Sequence, residues 1–262
     1  MACFIVFEGG DGSGKSTQAR SLFRRLRRRR VKVLRTHEPG GTPLGQALRR
    51  LLKSGETMTP ISELMLFEAA RAQLVQQVIK PFLDQGGVVI ADRFTSSTVA
   101  YQGYGRGLDR ELIERLDREA TGGLEPDLTV FLDLPVEVAL ARKAGGPGDN
   151  FDDAPLDFHR RIHRGYSALA AGQADVWAAS RRVKSSEAQA MASRADLLSG
   201  DSEHIIAIDH HHDIVRPDQS NMSTVAIDHR TAGSDDLAWA DDNILVAWLL
   251  PLLKQCTPIS DI

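Results

Sequence analysis

The strongest constraint on this chain is "CFIVFEGGDGSGKSTQ", residues 3–18. An apolar run of strand length passes straight into a loop carrying four glycines, and a helical pattern follows at once. Strand, tight turn and helix in so few residues make the first half of a β-α-β crossover, the connection from which parallel sheets are built. The alternation then repeats. Apolar runs recur in "VKVLRTHEPG", "GGVVIADRF" and "DLTVFLDLP", separated by amphipathic stretches around 18–29, 44–53, 63–83 and 110–120, with a further helix expected near 135–142. Short strands without polar alternation are buried on both faces, so the expected fold class is α/β, a parallel β-sheet flanked by α-helices on both faces.

Within the loop, Gly9 to Ser16 spells G-G-D-G-S-G-K-S, the full phosphate-loop pattern in the strand-to-helix context that its mechanism needs. The backbone of Gly9, Gly10, Asp11, Gly12, Ser13 and Gly14 would wrap the phosphates of a nucleoside triphosphate with its N–H groups, and Thr17 continues the helix behind them. Lys15 would reach the β and γ oxygens, and the Ser16 hydroxyl would ligate Mg2+. "VVIADR" ends in Asp92 at the carboxyl edge of an apolar strand, where an acidic residue completes a magnesium site through water.

Totals narrow the class further. Lys and Arg number 32 against 35 Asp and Glu, a formal net charge of −3 over 262 residues, so no global basic field favours nucleic acid or a membrane as partner. The one basic run, "RRLRRRR" at 24–30, reads as a solvated helix face. Cys3 and Cys256 provide neither a disulfide framework nor a zinc spacing. The N-terminus reads as a first strand rather than a signal peptide, and no apolar run approaches the ~18 to 20 residues of a membrane span. The expected location is the cytoplasm.

Four segments say what accepts the phosphate: "THEPGGT" (36–42), "LMLFEAARAQL" (64–74), "DRFTSSTVAYQGYGRGL" (92–108) and "LEPDLTVFLDL" (124–134). In this order, with the loop before them, they resemble bacterial thymidylate kinase over residues 4–177. The resemblance implies a P-loop NTPase fold with a flexible lid at about 143–155, a homodimer, and Mg2+-dependent transfer of the γ-phosphate of ATP to dTMP, which makes dTDP for dTTP biosynthesis. It implies that Arg71 and Arg93 clamp the acceptor phosphate, since a guanidinium fork grips a phosphate in one orientation. Phe67, one helical turn before Arg71, would stack on thymine. Ser97, Thr98 and Gln102 would meet the edge of the base, with Arg49 a further candidate. Tyr101 would crowd the 2′ side of the sugar, Asp11 would meet the 3′-hydroxyl, and Glu38 would face the acceptor phosphate and magnesium.

The chain departs from the family pattern twice. The loop contains no arginine, and the lid segment "AGGPGDNFDD" has Asn150 at the closest position to an expected lid arginine, which leaves Arg142 and Lys143 as the candidates. After residue 177 the sequence is polar and Ala/Ser-rich, and 178–222 reads as an atypical insertion or extension. "IIAID" or "TVAID" would then be the last strand, with 223–262 closing the kinase domain through the helix "NILVAWLLPLLKQ". The cluster Asp209, His210, His211, His212 and Asp213 has a metal-binding composition but lacks companion motifs. Two rival readings are a kinase for another nucleoside monophosphate, and a weakly catalytic nucleotide-binding protein whose tail serves regulation or interaction.

Overall fold

The structure is a computed structural model, and it describes residues 2–143, 154–172 and 177–181. Five parallel strands form one sheet: β1 (Cys3–Glu8), β2 (Val33–His37), β3 (Val88–Asp92), β4 (Leu128–Asp133) and β5 (Trp177–Arg181). Their order is β2-β3-β1-β4-β5. The helices are α1 (Lys15–Arg28), α2 (Pro43–Leu52), α3 (Pro60–Leu74), α4 (Lys80–Asp84), α5 (Thr95–Thr98), α6 (Arg110–Thr121), α7 (Val136–Lys143) and α8 (Leu156–Gly172). Val75–Ile79 and Val99–Gly105 wind as π-helical turns.

Strand alternation distributes the core to both faces. On one face Cys3, Ile5 and Phe7 of β1 pack with Ala19, Leu22 and Leu26 of α1. Those helix positions recur every three or four residues, which turns Arg24, Arg27 and Arg28 to solvent as the basic run suggested. On the other face Phe4 and Val6 meet Leu74, Val75, Ile79 and Phe94. A third cluster joins α3, the second π-helical turn and α8 through Leu64, Tyr101, Phe158, Ile162 and Tyr166.

Local signals start the helices where the site needs them. Thr42 accepts the Gly45 N–H at 3.0 Å to cap α2, and Thr59 accepts the Ser62 N–H to cap α3, each followed by a proline at the first helical position. Asp109 caps α6, which ends on Gly122 in the left-handed conformation.

Because all strands run in parallel, Glu8, His37, Asp92 and Asp133 end on one edge of the sheet. The register sets Asp92 beside both Phe7 and His37. From β1 the chain proceeds to β2 and β3 on one side and to β4 and β5 on the other, so the loop after β1 lies at the switch point where open sheets bind ligands.

The strand "WAASR" pairs in parallel with β4 and carries the sheet past the boundary drawn at residue 177. Among the described residues it is an edge strand paired with β4, and an edge position needs no apolar run. The strands expected at "IIAID" and "TVAID", the helix "NILVAWLLPLLKQ", the His cluster and Asn150 lie outside the described residues. Among the described residues no helix is long and apolar enough to cross a membrane.

Candidate active site

The loop between β1 and α1 is shaped for a phosphate chain. Gly12 sits at φ 77, and a Cβ there would collide with the Ala139 carbonyl of α7, so both the backbone conformation and the close approach require glycine. Lys15 opens α1 with its side chain only 6 % exposed and donates from Nζ to the Gly10 carbonyl at 2.7 Å. Burial lowers its pKa to about 8, with the nearby Arg93 charge acting in the same direction. Phosphate charge brought to this loop would reverse that cost, so the buried ammonium favours an anion beside it. Ser16 Oγ donates to Asp92 Oδ2 at 2.5 Å, which joins the start of α1 to the carboxyl end of β3. A hydroxyl and a carboxylate side by side are the hard oxygen donors that suit Mg2+.

Arg93 reaches the same loop from β3. Its backbone lies at φ 75, an uncommon conformation for a residue with a side chain, and its N–H donates to the Phe7 carbonyl at 3.0 Å. The guanidinium spans the phosphate loop: Nη1 donates to the carbonyl of Gly9 (3.3 Å), and Nη2 donates to Asp11 Oδ1 (2.6 Å). Tyr101 holds the pair from behind, its hydroxyl donating to Asp11 Oδ2 at 2.9 Å and accepting from Arg93 Nη2 at 3.0 Å. One cationic fork therefore lies within reach of the backbone that would hold a triphosphate.

Comparison with known proteins settles the family. Residues 7–190 match the family model described as thymidylate kinase. The thymidylate kinase of Synechococcus sp. (strain JA-3-3Ab) is 54% identical over 170 residues, 65% of this chain and 82% of that one. That of Thermomicrobium roseum is 48% identical over 179 residues, covering 68% and 85%. The crystal structure of thymidylate kinase from Ehrlichia chaffeensis superposes with a TM-score of 0.60 at 34% identity, over 70% of this chain and 89% of that one. The chain belongs to the thymidylate kinase family. The fold expected from the sequence, a P-loop α/β sheet with helices on both faces, is the fold of this chain.

The expected acceptor residues separate into two groups. Arg71 and Arg93 have different protein partners. Arg71 is 1 % exposed, and its five N–H groups are taken: Nε by Glu38 (2.9 Å), Nη1 by Glu68 (2.6 Å) and Asp117, and Nη2 by the Phe94 carbonyl (3.1 Å) and Thr98 Oγ1 (2.8 Å). Every donor of this fork is matched to a protein acceptor in the structure, which makes Arg71 an organiser of the segments that carry Glu38, Glu68, Phe94, Thr98 and Asp117. Glu38 goes with it. Its N–H donates to the Asp92 carbonyl, but its side chain turns to Arg71 and is 5 % exposed. Burial raises its pKa to about 7 despite Arg71, and burial likewise raises that of Asp117.

Ser97, expected from the sequence to meet the base edge, has partners in the Arg93 network. Its hydroxyl lies 3.0 Å from Arg93 Nη1 and 2.7 Å from Glu8, so it belongs to the Arg93 network. Thr98 stands on Arg71, and Gln102, 1 % exposed, donates to Glu63 at 2.8 Å. Arg49 donates to the Pro39 carbonyl at 3.0 Å in the "HEPGG" turn. Phe67 is half-buried against the third core cluster, one turn from Arg71 on α3. His37 packs its ring against Gly40 and meets Gln46 at 3.2 Å.

Arg142 lies exposed near the end of α7, three residues after Ala139, whose carbonyl crowds Gly12. The Lys143 side chain lies outside the described residues. Four site residues had no motif to reveal them: Glu8, Glu63, Asp117 and Tyr166. Glu8 carried one local signal, an acid closing an otherwise apolar strand on the face of Phe4 and Val6.

Proposed function

We propose that this chain transfers the γ-phosphate of ATP to dTMP, giving dTDP and ADP. The observation that carries this reading is the placement of the Arg93 fork on Gly9 and Asp11 of the phosphate loop, which sets a grip for a second anion against the donor site. An acceptor phosphate held there is oriented toward the γ-phosphate. One of its oxygens attacks phosphorus in line, the bond to the β-phosphate oxygen breaks, and ADP leaves with the charge of that oxygen. No protein nucleophile takes part, so catalysis consists of alignment and charge neutralisation.

Lys15 neutralises the β and γ oxygens, and Arg142, brought in from α7, meets the transferring group. Ser16 and Asp92 are the residues that would hold Mg2+, and the ion would supply charge neutralisation on the same oxygens. On the acceptor side Phe67 stacks on thymine, with Thr98 and Gln102 behind it fixed by Arg71 and Glu63. Asp11 meets the 3′-hydroxyl and Tyr101 crowds the 2′ position. Thymine selectivity follows from buried polar groups that a wrong base would leave unpaired.

We further propose a homodimer. Leu44 and Leu51 of α2 and Ile61 and Met65 of α3 are exposed on two helices that pack together, a surface suited to a second copy. Light scattering would return twice the chain mass.

The test of function is ADP release by the full chain with MgATP and, in turn, dTMP, dUMP, UMP, CMP, AMP and GMP. Turnover selective for dTMP supports the reading. Selectivity for another monophosphate, or dTMP binding without turnover, overturns it.

A further inference from the structure

Glu8 is the last residue of β1, and its side chain is completely buried on the face of Phe4 and Val6. A buried carboxylate is costly unless donors surround it. Here four do. Oε1 accepts the N–H groups of Phe94 (2.8 Å) and Ser97 (3.2 Å), and Oε2 accepts the hydroxyls of Ser97 (2.7 Å) and Tyr166 (2.9 Å). The same two hydroxyl oxygens each lie 3.0 Å from Nη1 of Arg93 and 2.8 Å from one another.

The chemistry of this layer has one direction. A carboxylate only accepts and a guanidinium only donates, so each hydroxyl between them turns its single proton away from Arg93 and its lone pairs toward it. Glu8 decides that orientation, because it is the acceptor on which the hydroxyl protons end. Its other oxygen fixes the two amides that follow Arg93, where the backbone has just passed through φ 75. Both the side chain and the main chain of Arg93 thus depend on Glu8, although the two residues share no hydrogen bond.

We infer that Glu8 is a positioning residue for phosphoryl transfer: through Ser97 and Tyr166 it holds the Arg93 guanidinium in the orientation that grips the acceptor phosphate. The inference rests on the reading that Arg93 binds that phosphate.

Glu8→Gln in the full chain is the first test. The substitution keeps shape and leaves an oxygen for the two amides, but it points N–H donors at the hydroxyls that must accept from Arg93. The expected result is a KM for dTMP raised about tenfold or more with KM for ATP within about twofold of wild type, and little further loss when the change is added to Arg93→Ala. Should Glu8→Gln fail to fold, the double variant Ser97→Ala/Tyr166→Phe removes the intermediaries and should give the same selective rise. Equal effects on both substrates, no effect on dTMP, or a loss that adds fully to that of Arg93→Ala would each overturn the inference. A wild-type KM and kcat in Arg93→Ala alone would instead remove the reading of Arg93 on which the inference stands.

Discussion

Arg93 Nη2 and Asp11 Oδ1 stand 2.6 Å apart, an ion pair that crosses eighty-two residues of sequence to join the end of β3 to the phosphate loop. With Tyr101 bonded to both, the pair fixes where a second anion would be gripped relative to the first.

Arg93→Lys tests the fork. A lysine keeps the charge but offers a point donor in place of a plane of five N–H groups. We expect kcat/KM for dTMP to fall by about 10²-fold or more, while ATP binding changes little. Steady-state kinetics with each substrate varied would check this, and a fall of less than about threefold would mean that charge alone suffices.

Arg142→Ala separates binding from transfer. As the arginine expected to meet the transferring phosphate, its loss should lower kcat by about 10³-fold with KM for dTMP unchanged. Single-turnover rates are the measurement. A near-normal kcat would assign the role to another cation.

Tyr101 offers two substitutions with different expectations. Its ring is 7 % exposed and packs edge-on against Phe158 and Tyr166. Tyr101→Phe keeps the ring and should retain discrimination against UMP, whereas Tyr101→Ala should relax it and destabilise the fold by about 3 to 5 kcal/mol. The kcat/KM ratio of dUMP to UMP, with a thermal melt for each variant, decides between ring and hydroxyl.

The buried acids around Arg71 predict a pH dependence of stability. Glu38 has a folded pKa of about 7, raised above the ordinary carboxylate value by burial. The native state therefore holds a proton that the unfolded chain has released, and stability falls as pH rises from about 4.5 toward 7. Glu38→Gln, which keeps an acceptor for Arg71, should flatten this part of the profile. Its Tm should lose several degrees less than wild type between pH 5 and pH 7. Parallel profiles would show that the cluster does not titrate in that range.

Local sequence was enough for everything governed by periodicity or by backbone chemistry. Four of the five strands, the helices between them, the phosphate loop with Lys15 and Ser16, and Asp92 at a strand end were legible because each depends on a few neighbouring residues. The family motifs added the acceptor segments. Strand β5, at the edge of the sheet among the described residues, was hidden because "WAASR" carries no apolar run.

Tertiary structure decided which partners each arginine has. Nothing in "FEAARAQL" distinguishes a residue that meets a ligand from one enclosed by Glu38, Glu68 and Asp117, because two of those carboxylates arrive from distant segments. The same holds for Glu8, whose partners on Ser97 and Tyr166 are 89 and 158 residues away. The sequence determined which groups carry charge and which surfaces seek burial. What each cation is bonded to inside the protein depends on long-range hydrogen bonds that exist only once the sheet and helices have packed.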